Sequence, residues 1–370
     1  MTLINELSAF RKLGPGYFIR EQLEIRNWTQ EDLAAVMGFT LKHINKILTD
    51  QQPITLENAR ILSEIFNNTP QYWVNLNTDY RLWLETEKSD QEKEAETKSR
   101  IYERMPITDM IKKGWLKPYQ NTGELQNQVV NFWGMKTLDF TSIDSQLKDF
   151  LSQKTFDING YQAWYTLTWY RKAQIESGKI SIGNYKIKEL EKLYQDLHRY
   201  TIMENGINIF LTKLQECGVI FFVLPHLQKT YLDGAAFLSQ KNPVIVYTGR
   251  FKRRDDFWFT IAHEIAHVLL HIPNKNTFFL DDFKNGELFQ IEQEANSLAF
   301  EKLKHAEVLD YLNPYLKYLQ AEKVEECAEI YNIHPSIIIG KLMEEKKISS
   351  SLNFRKENVL EMISKRYLIK

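Results

Sequence analysis

Cysteine is nearly absent from this sequence, and the shortage excludes a whole class of stabilisation. Only Cys217 and Cys327 occur in 370 residues, without a CxxC pair, so no disulfide framework is expected and both thiols are read as buried and inert. Long apolar runs are missing too. No stretch approaches the roughly 18 residues of a membrane-spanning helix, and Met1 to Glu6 has neither the basic region nor the apolar region of a secretory leader. A cytoplasmic protein with no membrane partner is expected. The third absence is an excess of charge: 47 Lys and Arg against 48 Asp and Glu give a net of −1, which argues against a polybasic coat for nucleic acid or lipid. What is present, 43% hydrophobic residues, is enough to core two or three domains.

The most informative stretch is His263-Glu264-Ile265-Ala266-His267. On a helix, residues four apart lie on one face about 6 Å from each other, so both imidazoles can reach one tetrahedral zinc. Glu264 projects about 100° away and is placed to accept a proton from water at that metal, as a catalytic base. With eight histidines, the motif arises by chance in on the order of one such chain in a hundred, so its surroundings decide. They are those of a buried helix: Asp255-Asp256-Phe257-Trp258-Phe259 opens it with acidic residues that suit the helix dipole, and Val268-Leu269-Leu270 continues it. A second helix, from Glu292 through Glu294 to Phe300, can supply the third ligand, and Glu294 is selected for it. His271 lies about 12 Å along the helix from His263 and is read as a packing or ligand-supporting residue. Glu292 is read as a solvated helix charge.

His263 to His267, preceded by Phe259-Thr260-Ile261-Ala262 and followed by Glu294-Ala295-Asn296-x-Leu298-Ala299, resembles the ImmA/IrrE family of zinc-dependent metallopeptidase domains. The resemblance implies His263, His267 and Glu294 as zinc ligands and Glu264 as catalytic base. Two departures are visible: Leu298 stands where the family has Phe, and Lys302-Leu303-Lys304-His305 replaces a frequent Leu-Met-Pro. Upstream, Gly218 to Leu224 and Pro243 to Tyr247 are short apolar runs that read as buried strands, with another at Asp233 to Leu238. A small sheet beside two metal-bearing helices is the zincin arrangement, in which an edge strand can take an extended peptide by strand addition.

Near the amino terminus, Thr29 is an N-cap candidate for a helix closed by Gly38, and Thr40 can cap Leu41 to Leu48, a helix-turn-helix signature. Leu41, Ile44 and Leu48 share its inward face, leaving Lys42, His43, Asn45 and Lys46 to meet phosphates and base edges. Pro15 to Glu21, Trp28-Thr29-Gln30, Gln52 to Thr55 and Pro70 to Trp83 resemble the HigA-like branch of XRE-type helix-turn-helix proteins, across residues 13 to 85. That family implies double-stranded operator DNA as partner, a homodimer, a cognate toxin where the member is an antitoxin, and a DNA-facing surface of Gln30, Thr40, Lys42, His43, Asn45 and Lys46. Residues 1–85 carry eight Lys and Arg against ten Asp and Glu, so no general basic field supports that surface.

Residues 85 to 104, rich in Glu, Lys, Asp and Ser, read as a charged helical connector or hinge. The aromatic-rich stretch to 200 reads as helical packing between domains or subunits, and Val324 to Leu342 as a helical tail in which His334 caps a turn before Pro335. The expected fold is α+β and mainly helical: a five-helix helix-turn-helix domain (1–88), a helical middle region (89–200), a zincin-like metallopeptidase domain with a small β-sheet (201–305) and a helical tail (306–370). The expected function is a DNA-binding transcriptional regulator with zinc-dependent endopeptidase activity on a partner repressor, an antitoxin or itself. The alternative is a regulator or antitoxin whose zincin domain only binds metal, ligand or a partner.

Overall fold

The computed structural model describes residues 13–85, 88–152, 160–272, 279–280, 287–349 and 352–369, and the chain forms two compact units, Met1–Ala95 and Glu96–Lys370. Up to residue 85 the first unit has five described helices: α1 (Pro15–Arg26), α2 (Gln30–Met37), α3 (Leu41–Leu48), α4 (Leu56–Phe66) and α5 (Pro70–Leu84). Their ends are written in the sequence. Pro15 opens α1 where its missing N–H costs nothing, and Asn27 closes it in the left-handed conformation at φ 54°. Thr29 and Asp32 form a reciprocal capping box on α2, and Gly38 ends that helix at φ 71°. Thr40 caps α3 by accepting from the His43 N–H at 3.3 Å.

Ile19, Leu23, Leu33, Met37, Ile44, Ile47, Leu48, Leu62 and Trp73 make the core of this unit. The expected inward face of α3 needs one correction: Ile47 is buried and Leu41 is 44% exposed, because the tight α2–α3 turn leaves the first residue of α3 outside the core. The end of α3 is tied to both flanking helices. Gly16 donates its N–H to Asp50 Oδ1 at 2.8 Å, the Arg20 guanidinium donates to the Leu48 carbonyl, and Arg81 Nη2 donates to the Asp50 carbonyl at 2.9 Å. Gly16 is required there, since a Cβ on it would lie 2.3 Å from the Leu48 oxygen.

The charged segment after residue 85 is helical over α6 (Asp90–Tyr102). Next come α7 (Ile107–Lys112), α8 (Thr122–Trp133), α9 (Thr141–Ser152) and α10 (Gly160–Ser177), then α11 (Ile187–Gln195), α12 (Leu197–Ile202) and α13 (Gly206–Glu216). They lead into β1 (Ile220–Val223), β2 (Gly234–Ser239) and β3 (Asn242–Tyr247), followed by α14 (Arg254–Leu270), the two-residue β4 (Phe279–Leu280) and α15 (Glu287–Lys302). The tail holds α16 (His305–Leu312), α17 (Ala321–Tyr331), α18 (Pro335–Glu344) and α19 (Val359–Met362). Among the described residues no helix is long and apolar enough to cross a membrane.

The sheet runs β1-β3-β2-β4, with β1 and β3 parallel and the β2–β3 pair antiparallel. It is buried on both faces, which is why β1 and β3 read as unbroken apolar runs rather than alternating ones. The strand period of two sorts the side chains. Phe221, Val223, Ala236, Ile245 and Tyr247 pack with α14 and the tail helices. Ile220, Phe222, Ala235, Phe237, Val244 and Val246 share a core with Ile101, Met110, Leu125, Trp164 and Trp169 of the preceding helices. The boundary expected at residue 200 therefore runs through one core: the aromatic-rich middle region covers the second face of the sheet.

Candidate metal centre and nucleic-acid interface

Helix α14 is apolar on every side, and that is what lets it lie inside the unit with polar residues at chosen points. Phe257, Trp258, Ile261, Ala262, Ile265, Ala266 and Val268 are fully buried, and the Tyr194 hydroxyl donates to the Ala262 carbonyl at 2.7 Å. His263 and His267, one turn apart, are carried into the core with them, at 5% and 0% exposure.

Their partner is Glu292, from α15. Its Oε2 lies 3.2 Å from His263 Nε2 and its Oε1 3.3 Å from His267 Nε2, while the two Nε2 atoms are 2.9 Å apart. Ligands about 2.0–2.1 Å from a tetrahedral zinc stand about 3.3 Å from one another, so this triangle of two nitrogens and a carboxylate fits such an ion. The outer ring nitrogens agree with that use. His263 Nδ1 donates to Asn296 Oδ1 at 3.0 Å, which leaves its Nε2 lone pair facing the triangle. Burial raises the Glu292 carboxyl, but the two imidazoles that face it outweigh that and lower its pKa.

The expected ligand Glu294 is placed elsewhere. Glu294 does not reach the triangle; its carboxylate is half-exposed and accepts from His271 Nε2 at 3.2 Å, a bond that lowers its pKa. Glu292, expected to be a solvated charge, is buried at 7% exposure. The reason is helical phase: Glu292, Ala295, Asn296 and Ala299 share the stripe of α15 that faces α14, and two residues on, Glu294 has turned about 200° away. His271 stands where a supporting residue would. Its Nδ1 lies 3.0 Å from His267 Nδ1 and accepts that proton when Nε2 donates to Glu294, so His267 Nε2 keeps its lone pair. Removing such a partner costs about 10- to 100-fold in metal affinity. That loss is expected for His271→Ala in a zinc competition titration against a chelator, with Glu294→Ala losing less; wild-type affinity in His271→Ala would mean the His267 ring is oriented without it.

Glu264 is fully buried, beside the start of β2. A Cβ on Gly234 would lie 2.4 Å from Glu264 Oε1 and 2.7 Å from the Thr260 methyl, so the absent side chain of Gly234 makes the space the carboxylate occupies. Glu264 stays out of the triangle. His334 sits at the N-cap of α18, where its side chain accepts from the Ser336 N–H at 3.2 Å and burial presses the ring down to about 4.

In the first unit Gln30, Thr40, Lys42, Asn45 and Lys46 are all exposed. His43 departs from that group. Its ring lies 4.6 Å from Phe39 and its Nε2 is buried with no hydrogen-bond partner among the described residues, so the side chain is half turned into the unit. Of the six residues expected to face DNA, two lysines, two amides and a threonine are then exposed.

Comparison with known proteins separates the same two parts. The family described as Helix-turn-helix matches residues 19–73, and the family described as IrrE N-terminal-like domain, a peptidase family, matches residues 203–342. An uncharacterized HTH-type transcriptional regulator of Haemophilus influenzae is 33% identical over 89 residues, 24% of this chain and 83% of that protein.

Proposed function

We propose that this chain, which belongs to the helix-turn-helix transcriptional regulators and carries an IrrE-like peptidase domain, is a zinc-dependent endopeptidase acting on a protein of the circuit whose DNA it binds. The observation that carries the proposal is the buried triangle of His263, His267 and Glu292, with Glu264, next in the chain to His263, buried and outside it. Zinc bound there supplies Lewis-acid chemistry, polarising a peptide carbonyl and acidifying water. Glu264 accepts the proton of the attacking water and returns it to the leaving amine, and its burial beside Gly234 keeps it where that transfer needs it. His271 and Asn296 orient the two imidazoles.

A partner in trans, a repressor or an antitoxin, fits better than the chain's own connector. The connector is helical over Asp90–Tyr102, and a site fed by strand addition takes an extended peptide. The test is incubation of the zinc-loaded protein with candidate repressors and antitoxins, with products identified by mass spectrometry. Absence of cleavage together with intact operator binding would favour a regulator whose peptidase domain binds metal or partner without cutting. A HigA-like member would bring a toxin as that partner.

The first unit is proposed to bind operator DNA as a homodimer through Gln30, Thr40, Lys42, Asn45 and Lys46. Lys42→Ala and Lys46→Ala are each expected to weaken binding across all sequences and to reduce the salt slope by about 0.9. Titrations at several salt concentrations read both effects, and wild-type curves for both variants would place the DNA elsewhere.

A further inference from the structure

A cavity of about 480 Å³ lies at the amino-terminal end of α14, against α18 and His305. Its size is that of a pocket for a small ligand or a peptide side chain, about 300–1,000 Å³. It also adjoins the centre described above. Phe259 and Thr260 line it and stand one helical turn before His263 and Glu264, the Phe259 ring is 6.2 Å from that of His263, and Asp233 precedes the Gly234 that abuts Glu264.

His305 gives the cavity its chemistry. The side chain is 5% exposed, lines the cavity, and neither ring nitrogen has a hydrogen-bond partner among the described residues. Buried polar atoms in folded proteins are almost always satisfied, so two on one ring point to something that enters. Burial and the nearby Lys341 charge press its pKa down to about 3, so at neutral pH the ring offers one N–H donor and one acceptor. Each charged wall residue has an oppositely charged partner: Arg355 donates to Asp255, Arg253 Nε lies 2.6 Å from Asp256 Oδ2, Lys341 Nζ lies 3.2 Å from Glu344, and Arg250 Nη1 lies 3.3 Å from Asp233 Oδ1, while Asp255 Oδ1 and Arg355 Nε keep no hydrogen-bond partner among the described residues. The remaining walls include the apolar Phe251, Phe259 and Ile337. A net charge entering here would find no unpaired counter-ion, whereas an amide or hydroxyl on an apolar stem would meet the ring and the stem its walls.

We propose that this cavity receives an uncharged, hydrogen-bonding side chain of the bound peptide, Gln, Asn, Ser, Thr or Tyr beside the scissile bond, with His305 as the recognising group. The proposal rests on the peptidase reading above, and two measurements on the full-length protein keep the two apart. In the first, histidine-ring NMR follows a titration with N-acetylglutamine amide, with N-acetylleucine amide as control. A saturable shift of the His305 ring with the first probe only is expected, abolished in Met343→Trp, which fills the cavity from its rim. No shift in the wild-type protein overturns the proposal. In the second, a peptide library is cleaved and the flanking residues sequenced. An amide or hydroxyl preference at one position is expected, falling about tenfold or more in His305→Phe and in Met343→Trp. Cleavage with the same preference in both variants overturns the pocket and leaves the peptidase standing. A saturable probe shift without any cleavage keeps the pocket and overturns the peptidase.

Discussion

Glu292→Ala is expected to strip the full-length protein of zinc, with affinity falling well beyond the about 10- to 100-fold that loss of an outer partner costs. Two histidines from one helix cannot complete a tetrahedral site, and Glu292 supplies the carboxylate 3.2 and 3.3 Å from their inner nitrogens. The experiment is dialysis against limiting zinc followed by metal analysis, with Glu294→Ala alongside. The expected order is wild type, Glu294→Ala somewhat lower, Glu292→Ala near zero. Retention of zinc by Glu292→Ala and its loss from Glu294→Ala would reverse the assignment made from the geometry. Circular dichroism belongs in the same experiment, since Glu292 is buried between two helices and its loss must be shown to leave the fold intact.

Glu264→Gln is expected to behave in the opposite way: zinc content and fold unchanged, proteolysis reduced by about 10²- to 10⁴-fold. The amide keeps the shape that fits beside Gly234 but cannot take the proton. Zinc affinity and single-turnover cleavage, measured on the same preparation, separate the two roles. A loss of metal would make Glu264 a ligand, and full cleavage activity would remove it from the chemistry.

Much of this architecture was legible in the sequence, for reasons that name themselves residue by residue. The helix ends of the first unit follow from Thr29, Gly38 and Thr40, whose effects are local and survive any tertiary context. The strands follow from apolar runs bounded by Gly and Pro, and the metal helix from the spacing of His263 and His267. The carboxylate that the structure brings to the histidines differs from the expected one because the family signature around Ala295-Asn296 draws attention to Glu294, whereas the apolar stripe selects Glu292: with Ala295 and Ala299 buried, the residue three before Ala295 shares their face and the residue one before it does not. That signal was present and unused. Leu41 and His43 show the limit on the other side, since their burial depends on how the α2–α3 turn meets the core and on the neighbouring Phe39 ring. The cavity around His305 could not be read at all, because its walls come from segments scattered between Asp233 and Arg355.

The two-sided burial of the sheet changes what counts as the smallest autonomous piece of this protein. The stretch that matches the peptidase family, 203–342, carries the proposed metal ligands but not the helices that cover Ile220, Phe222, Phe237, Val244 and Val246. It also omits the last residues, where the Ile369 N–H donates to the Val223 carbonyl along the open edge of β1. Cut at those limits, the fragment would present a bare apolar face and an unpaired strand edge, a template for aggregation. Proposed chemistry and foldability thus have different boundaries: the proposed reacting groups fit within 263–292, while the compact unit that holds them runs over Glu96–Lys370.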